Sequence, residues 1–99
     1  MPPIDLLAKL CEWYEEQCDG DWEHGSGVRI DTLDNPGWIV KINLIGTASE
    51  NDVFDTVMFD EGKDNWLTCS KKGQDFQGAG DPSKLPTILE HFLRFVGKL

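Results

Sequence analysis

The chain has 99 residues, of which 39% are hydrophobic and which include four Trp, five Phe and one Tyr, and its formal net charge at pH 7 is −9. This length supports one domain with one core, expected to span residues 1–99, and the aromatic content argues against a disordered chain. The acidic charge disfavours nucleic acid and anionic membranes as partners, and the first residues lack the basic start and apolar stretch of a signal peptide, so we expect a cytoplasmic protein.

The first predicted element is an amphipathic helix from Ile4 to about Asp19. Apolar residues recur at steps of three and four and cover about half of the helix surface. These residues are Leu6, Leu7, Leu10, Cys11, Trp13, Tyr14 and Cys18. Gly20 follows, at a place where a left-handed residue commonly ends a helix. The other side collects acids in a column of like charge, which costs helix stability. An acid in the last turn opposes the helix dipole, a mismatch that often marks a functional surface but can also be without consequence.

Segments with period two follow, and they predict antiparallel strands. Residues 28–33 and 38–45 alternate between the two faces of a strand, and Asp34-Asn35-Pro36-Gly37 between them has the chemistry of a tight turn, which predicts a hairpin. Three further short strands are expected at residues 53–59, 66–71 and 75–78. The short connections between the strands predict an antiparallel meander.

A second helix closes the chain. Asp81-Pro82 or Ser83 can open it, and the apolar residues between Leu85 and Leu99 form one broad stripe that must be buried. We therefore predict an α+β fold, in which an antiparallel sheet of about four to five strands in a meander is flanked by an N-terminal and a C-terminal helix packed on one face.

The densest group of reactive side chains lies between the first helix and the first strand. Cys18-Asp19-Gly20-Asp21-Trp22-Glu23-His24 combines three carboxylates with a thiol, an imidazole and an indole. A calcium loop that begins at Asp19 would need Gly at its sixth position and Glu at its twelfth, where His24 and Ile30 stand. No pair of residues has the spacing that is diagnostic of a zinc site, so we predict neither a metal nor a cofactor.

The three cysteines are expected to be free, buried thiols. Cys11 and Cys18 lie about 10 Å apart along the predicted helix, which is beyond the reach of a disulfide, and the chain has no C-x-x-C pair. Cys69, which is followed by Ser70-Lys71-Lys72-Gly73, superficially resembles the cysteine of a sulfurtransferase loop. We expect no enzyme activity, but a small thiol-dependent enzyme and a metal-binding structural module stay open as alternatives.

Four segments carry a resemblance to a known family: Trp13-Tyr14, Gln17-Cys18-Asp19-Gly20-Asp21-Trp22-Glu23-His24, Thr32-Leu33-Asp34-Asn35-Pro36-Gly37-Trp38 and Asp81-Pro82-Ser83-Lys84-Leu85. In these segments the chain resembles the immunity protein 53 family of bacterial polymorphic toxin systems, and the resemblance covers most of the chain. It implies a cytoplasmic antidote that binds and blocks a cognate toxin domain and performs no catalysis.

Charge and resemblance together predict a surface for the toxin. Residues 1–60 carry 13 acids and three bases, whereas residues 61–99 carry five acids and six bases, so the acidic part suits a basic toxin such as a nuclease or a deaminase. The residues expected to bind the toxin are Glu12, Glu16, Asp19, Asp21, Trp22, Glu23, His24, Asp34 and Asn35. We expect the chain to be a monomer or a weak dimer. The alternative role of the two central segments is to stabilise turns of the fold.

Overall fold

A computed structural model describes residues 5–25 and 27–99 of the chain. Its elements, in chain order, are α1 (Leu6–Gln17), α2 (Trp22–Gly25), β1 (Val28–Leu33), β2 (Gly37–Asn43), β3 (Val57–Asp60), β4 (Trp66–Lys72), β5 (Asp75–Gly80) and α3 (Leu85–Phe95). The five strands form one antiparallel sheet. In the chain, α1 and α2 precede the strands and α3 follows them. The predicted α+β fold is therefore confirmed, while Ile4 of the predicted first helix lies outside the described residues.

Local sequence explains where the long helices begin and end. The Asp5 carboxylate accepts a hydrogen bond from the backbone N–H of Ala8 at 3.0 Å and so caps the start of α1. At the end of α3, Gly97 adopts a positive φ of 82° and the backbone N–H of Lys98 donates to the carbonyl of Leu93 at 2.8 Å. This pair of features is the Schellman motif, which satisfies the last carbonyls of a helix.

The strand order in the sheet is β1-β2-β5-β4-β3, which combines a two-stranded hairpin with a three-stranded meander. β1 and β2 form the predicted hairpin, β3, β4 and β5 form a meander, and β2 pairs with β5. A meander through all five strands would put β3 beside β2, but residues 44–56 carry the chain to the far edge. β5 suits the central position because its glycines let α3 approach closely: a Cβ on Gly78 would collide with Cγ2 of Ile88.

The core lies between α3 and one face of the sheet. Its fully buried side chains are Val40, Ile42, Leu44, Leu67, Cys69, Phe76, Ile88, Phe92 and Leu93. The ring of Phe92 lies at the centre of this core, with its centroid 5.2 Å from that of Phe76 on β5 and 4.9 Å from that of Trp13 on α1. Trp13 reaches the core through Phe92, so α1 packs beside α3.

Helix α1 buries a narrower stripe than the sequence predicts. Leu10 and Trp13 are buried, whereas Leu7 is 61% exposed, Tyr14 is 38% exposed and Cys11 is exposed as well. The reason is that α1 contacts mainly α3 and does not lie across the sheet, so only one edge of its apolar half meets the core. The opposite edge of that half faces outward.

Candidate functional site

The segment between α1 and β1, which we call the capped loop (residues 18–25), folds around its own carboxylates. Asp19 Oδ1 accepts hydrogen bonds from the backbone N–H groups of Asp21 and Trp22, at 2.9 and 3.0 Å. Glu23 reaches back along the chain and accepts from the backbone N–H groups of Asp19 and Gly20, at 3.0 and 2.8 Å. This reciprocal arrangement resembles a capping box, and it opens the short helix α2.

Both capping carboxylates are held in the charged form. The backbone N–H groups of Trp22 and Asp21 lower the pKa of Asp19 below its usual value. The pKa of Glu23 is lowered first by its own backbone N–H and also by those of Asp19 and Gly20, which together outweigh the opposing effect of burial. The capped loop therefore presents fixed negative charge at neutral pH, with the exposed side chains of Asp21 and His24 beside it.

Trp22 supports the capped loop from beneath. Its side chain is only 8% exposed, and its ring lies 5.7 Å from the ring of Trp13 and 5.7 Å from that of Tyr14, measured between centroids. Its indole N–H has no acceptor among residues 5–25 and 27–99. Trp22 thus fastens the loop to α1, and it presents little surface of its own to a partner.

Glu12 and Glu16 stand on the outer side of α1, where lysines lie close to them. Glu12 pairs with Lys9 at 3.6 Å, and Glu16 pairs with Lys98 of the segment that follows α3. Both carboxylates stay exposed, so these ion pairs contribute little to stability and leave the acids accessible to a partner.

The second predicted patch, Asp34 and Asn35, lies apart from the capped loop. Both residues are exposed in the turn that joins β1 to β2, whereas the capped loop precedes the other end of β1. The length of β1 separates them by roughly 20 Å. The structure therefore brings together Asp19, Asp21, Trp22, Glu23 and His24, and it leaves Asp34 and Asn35 at a second position.

The residues that follow this turn have a clear role in the fold. A Cβ on Gly37 would collide with the carbonyl oxygen of Gly80, so the close approach of β2 and β5 at this point requires glycine. The indole N–H of Trp38 donates to the carbonyl of Pro82 at 3.0 Å. This hydrogen bond connects the second central segment of the resemblance to the last one.

From the sequence we expected Asp81 to open α3. The structure gives it a different role, in which its buried carboxylate connects two strands. It is 1% exposed, and its carboxylate accepts from the backbone N–H of Trp66 and from both the N–H and the hydroxyl of Ser83, at 2.6–2.9 Å. Lys84 Nζ lies 2.8 Å away. Burial would raise the pKa of Asp81, but these donors hold it well below its usual value. Asp81 thus joins the end of β5 to the start of β4, and α3 begins only at Leu85.

A groove beside α1 was also not predicted from the sequence. It has a volume of about 410 Å³, and we call it the α1 groove; its lining residues are Leu10, Cys11, Tyr14, Glu23, Gly27 and Val28. The sequence feature that could have indicated this groove is the width of the apolar stripe on α1. A stripe over half of a helix is wider than the face that packing against one other helix buries.

The cysteines do not form a reactive site in the described residues. All three are free, but only Cys69 is buried as expected; Cys11 is exposed because it lies on the outward edge of the apolar half of α1, and Cys18 is exposed at the start of the capped loop. Burial raises the pKa of Cys69 to about 11, so this thiol is protonated at neutral pH. No group of three His, Cys, Asp or Glu side chains within residues 5–25 and 27–99 is placed to hold a metal ion. Nothing in this geometry supports the thiol-enzyme or metal-module alternatives.

Comparison with protein families supports the resemblance found in the sequence. The family model described as immunity protein 53 matches residues 7–97. The chain belongs to the immunity protein 53 family. All four segments of the resemblance lie within the matched range, and membership of an immunity protein family implies a toxin as partner. Comparison with curated proteins and with solved structures finds no match. In the part of this immunity protein that the structure describes, none of the helices has the length and hydropathy of a membrane span.

Proposed function

We propose that this immunity protein neutralises a cognate bacterial toxin domain in the cytoplasm by stoichiometric binding, without catalysis. Family membership supports the toxin partner, and the charge of the α1 and α2 region supports a basic one. Residues 5–25 contain seven acids and one base. A surface with this charge attracts a basic domain, such as a nuclease or a deaminase, and speeds its association.

The observation that carries this proposal is the fixed geometry of the capped loop. Asp19 and Glu23 bind backbone N–H groups within the loop, so its conformation is set before any partner arrives. A preformed surface loses less conformational entropy on binding than a flexible one. We therefore assign the toxin surface to the exposed parts of the capped loop, with Glu12 and Glu16 as flanking charges and Trp22 as the support beneath.

Asp34 and Asn35 form a second part of the proposed surface. A standard interface buries about 800 Å² on each partner, which corresponds to a patch roughly 30 Å across. The separation along β1 is roughly 20 Å, so one toxin domain can cover the capped loop and the β1–β2 turn together. We expect the antidote to act as a monomer or a weak dimer, by covering the toxin active site or a surface next to it.

Charge reversal at one exposed acid tests the proposal. Asp21→Lys changes the charge of the capped loop without removing a side-chain cap, since the Asp21 carboxylate accepts no hydrogen bond from the described residues, 5–25 and 27–99. With the cognate toxin domain as partner, we expect association at low salt to slow by roughly threefold to tenfold, because charges near an interface act mainly on association rates.

The matched control is Asp55→Lys. Asp55 is exposed and precedes β3, the strand at the opposite edge of the sheet from β1. Its reversal makes the same change in net charge, but at a distance from the capped loop. An equal slowing by both variants would show that only net charge matters and would reject the capped loop as the surface. Failure of the unmodified chain to bind the toxin domain would reject the proposed function.

A further inference from the structure

The outward edge of α1 carries a row of side chains that stay exposed in the structure, although Trp22 packs against part of Tyr14. Leu7, Cys11 and Tyr14 follow one another at steps of four and three, and the row is about 10 Å long. Scattered apolar residues are normal on a protein surface, but a continuous row beside a groove is typical of a binding surface. None of these three residues belongs to the acidic surface proposed above.

The α1 groove gives this row a cavity with two different walls. Cys11 and Tyr14 form the wall on α1, and the opposite wall includes Val28, the first residue of the edge strand β1. Buried Leu10 also contributes to the lining. The volume of about 410 Å³ is ample for one long side chain, since sites for small molecules span roughly 300–1,000 Å³.

Charge restricts what can occupy the groove. Glu23 lines it, exposed Glu15 lies one helical turn after Cys11, and none of the lining residues is basic. A mostly apolar groove lined by the Glu23 carboxylate, with Glu15 nearby on α1, fits a side chain that has an aliphatic stem and a cationic head. The aromatic ring of Tyr14 favours arginine over lysine, because a planar guanidinium stacks on an aromatic face and can pair bidentately with a carboxylate.

We infer that the α1 groove receives an arginine side chain from a basic segment of the toxin domain, with its guanidinium against Tyr14 and paired with Glu23. The inference rests on the proposed function and names the anchor of the same interface. Glu23 can serve both roles, because a carboxylate has about four acceptor positions and the backbone N–H groups of Asp19 and Gly20 make three contacts with it, which leaves about one position for the guanidinium.

Cys11 provides a native probe of this contact. In a Cys18→Ser chain it is the one exposed cysteine among the described residues, and iodoacetamide alkylation can be followed by intact mass. We expect rapid alkylation of Cys11 in the free chain. With saturating toxin domain the rate should fall by at least about tenfold, since alkylation requires access to the thiol. The control thiol is introduced by Met58→Cys in a chain that also carries Cys11→Ser and Cys18→Ser. Met58 is 75% exposed on β3 at the far edge of the sheet, and its substitute should react at the same rate with and without toxin domain.

Side-chain variants test the chemistry of the occupant. Tyr14→Ala should weaken toxin binding by about tenfold, whereas Tyr14→Phe keeps the aromatic face and should bind like the unmodified chain. In the toxin domain, alanine substitution of one exposed arginine should restore Cys11 alkylation. Binding with Cys11 unprotected would overturn the groove inference and leave the proposed function standing, and an unreactive Cys11 in the free chain would overturn it as well. Protection that survives every arginine substitution would rule out arginine as the occupant, while failure of the unmodified chain to bind would reject the function itself.

Discussion

Gly78→Ala tests how closely α3 packs on the sheet. The substitution adds one methyl group on the central strand β5, and that group would collide with Cγ2 of Ile88 while lying 3.5 Å from the Cys69 sulfur. Ile88 is fully buried on α3, so it has no free space to move into. Overpacking of this kind costs about 1–3 kcal/mol. For a domain of this length that corresponds to a fall in melting temperature on the order of 10 °C.

The assay is urea and thermal unfolding followed by circular dichroism. The matched control is Gly25→Ala, since a Cβ on Gly25 meets nothing within 4 Å, and we expect it to be neutral or stabilising by up to about 1 kcal/mol. Ile88→Ala removes the colliding methyl group, so Gly78→Ala should cost much less in that background, as a double-mutant cycle would measure. The packing argument is refuted if Gly78→Ala costs no more than Gly25→Ala, or if its cost is unchanged in the Ile88→Ala chain.

Two further predictions concern titratable groups. Because the folded state depresses the pKa of Asp81, its contribution to stability is complete above about pH 4 and is lost as the pH falls below that value. Thermal melts between pH 2.5 and 7 should show this loss in the unmodified chain and a flatter profile in Asp81→Asn, and equal profiles would contradict the assignment. Thiol titration with Ellman's reagent at pH 7.5 should detect Cys11 and Cys18 in the folded protein, and Cys69 only after denaturation. Burial and a pKa of about 11 make the Cys69 thiol unreactive in the folded state. Three rapidly reacting thiols in the folded chain would be inconsistent with a buried Cys69.

Local patterns predicted the elements of the fold well. The alternation at residues 28–33 and the turn chemistry of Asp34-Asn35-Pro36-Gly37 correspond to β1 and the start of β2, and β4 differs from its prediction only by Lys72. The strand expected at residues 53–59 is shorter, Val57–Asp60, because Phe54 turns into the core, where its ring lies 5.3 Å from that of Phe76. Periodicity shows that a segment is apolar on one side, but it does not show when a side chain leaves the strand to pack.

Features set by distant contacts could not be predicted from the sequence. The position of β5 between β2 and β4 depends on the fit of Gly78 under Ile88, two residues whose contact no local pattern reveals. The exposed row on α1 depends likewise on which edge of the helix meets α3. For the candidate site, the sequence identified the cluster Cys18–His24, but it did not show that Asp19 and Glu23 cap a loop or that Trp22 is buried beneath it.

The capped loop contains two kinds of polar residue that the sequence does not distinguish. At Asp19 and Glu23 the carboxylate holds the main chain, so a substitution alters shape and charge in one step. At Asp21 and His24 the side chains are exposed, and a substitution there alters the surface without removing a cap. Under the proposed function, positions 21 and 24 can therefore change with the toxin at little cost to folding, whereas positions 19 and 23 are constrained by the loop that their carboxylates hold together.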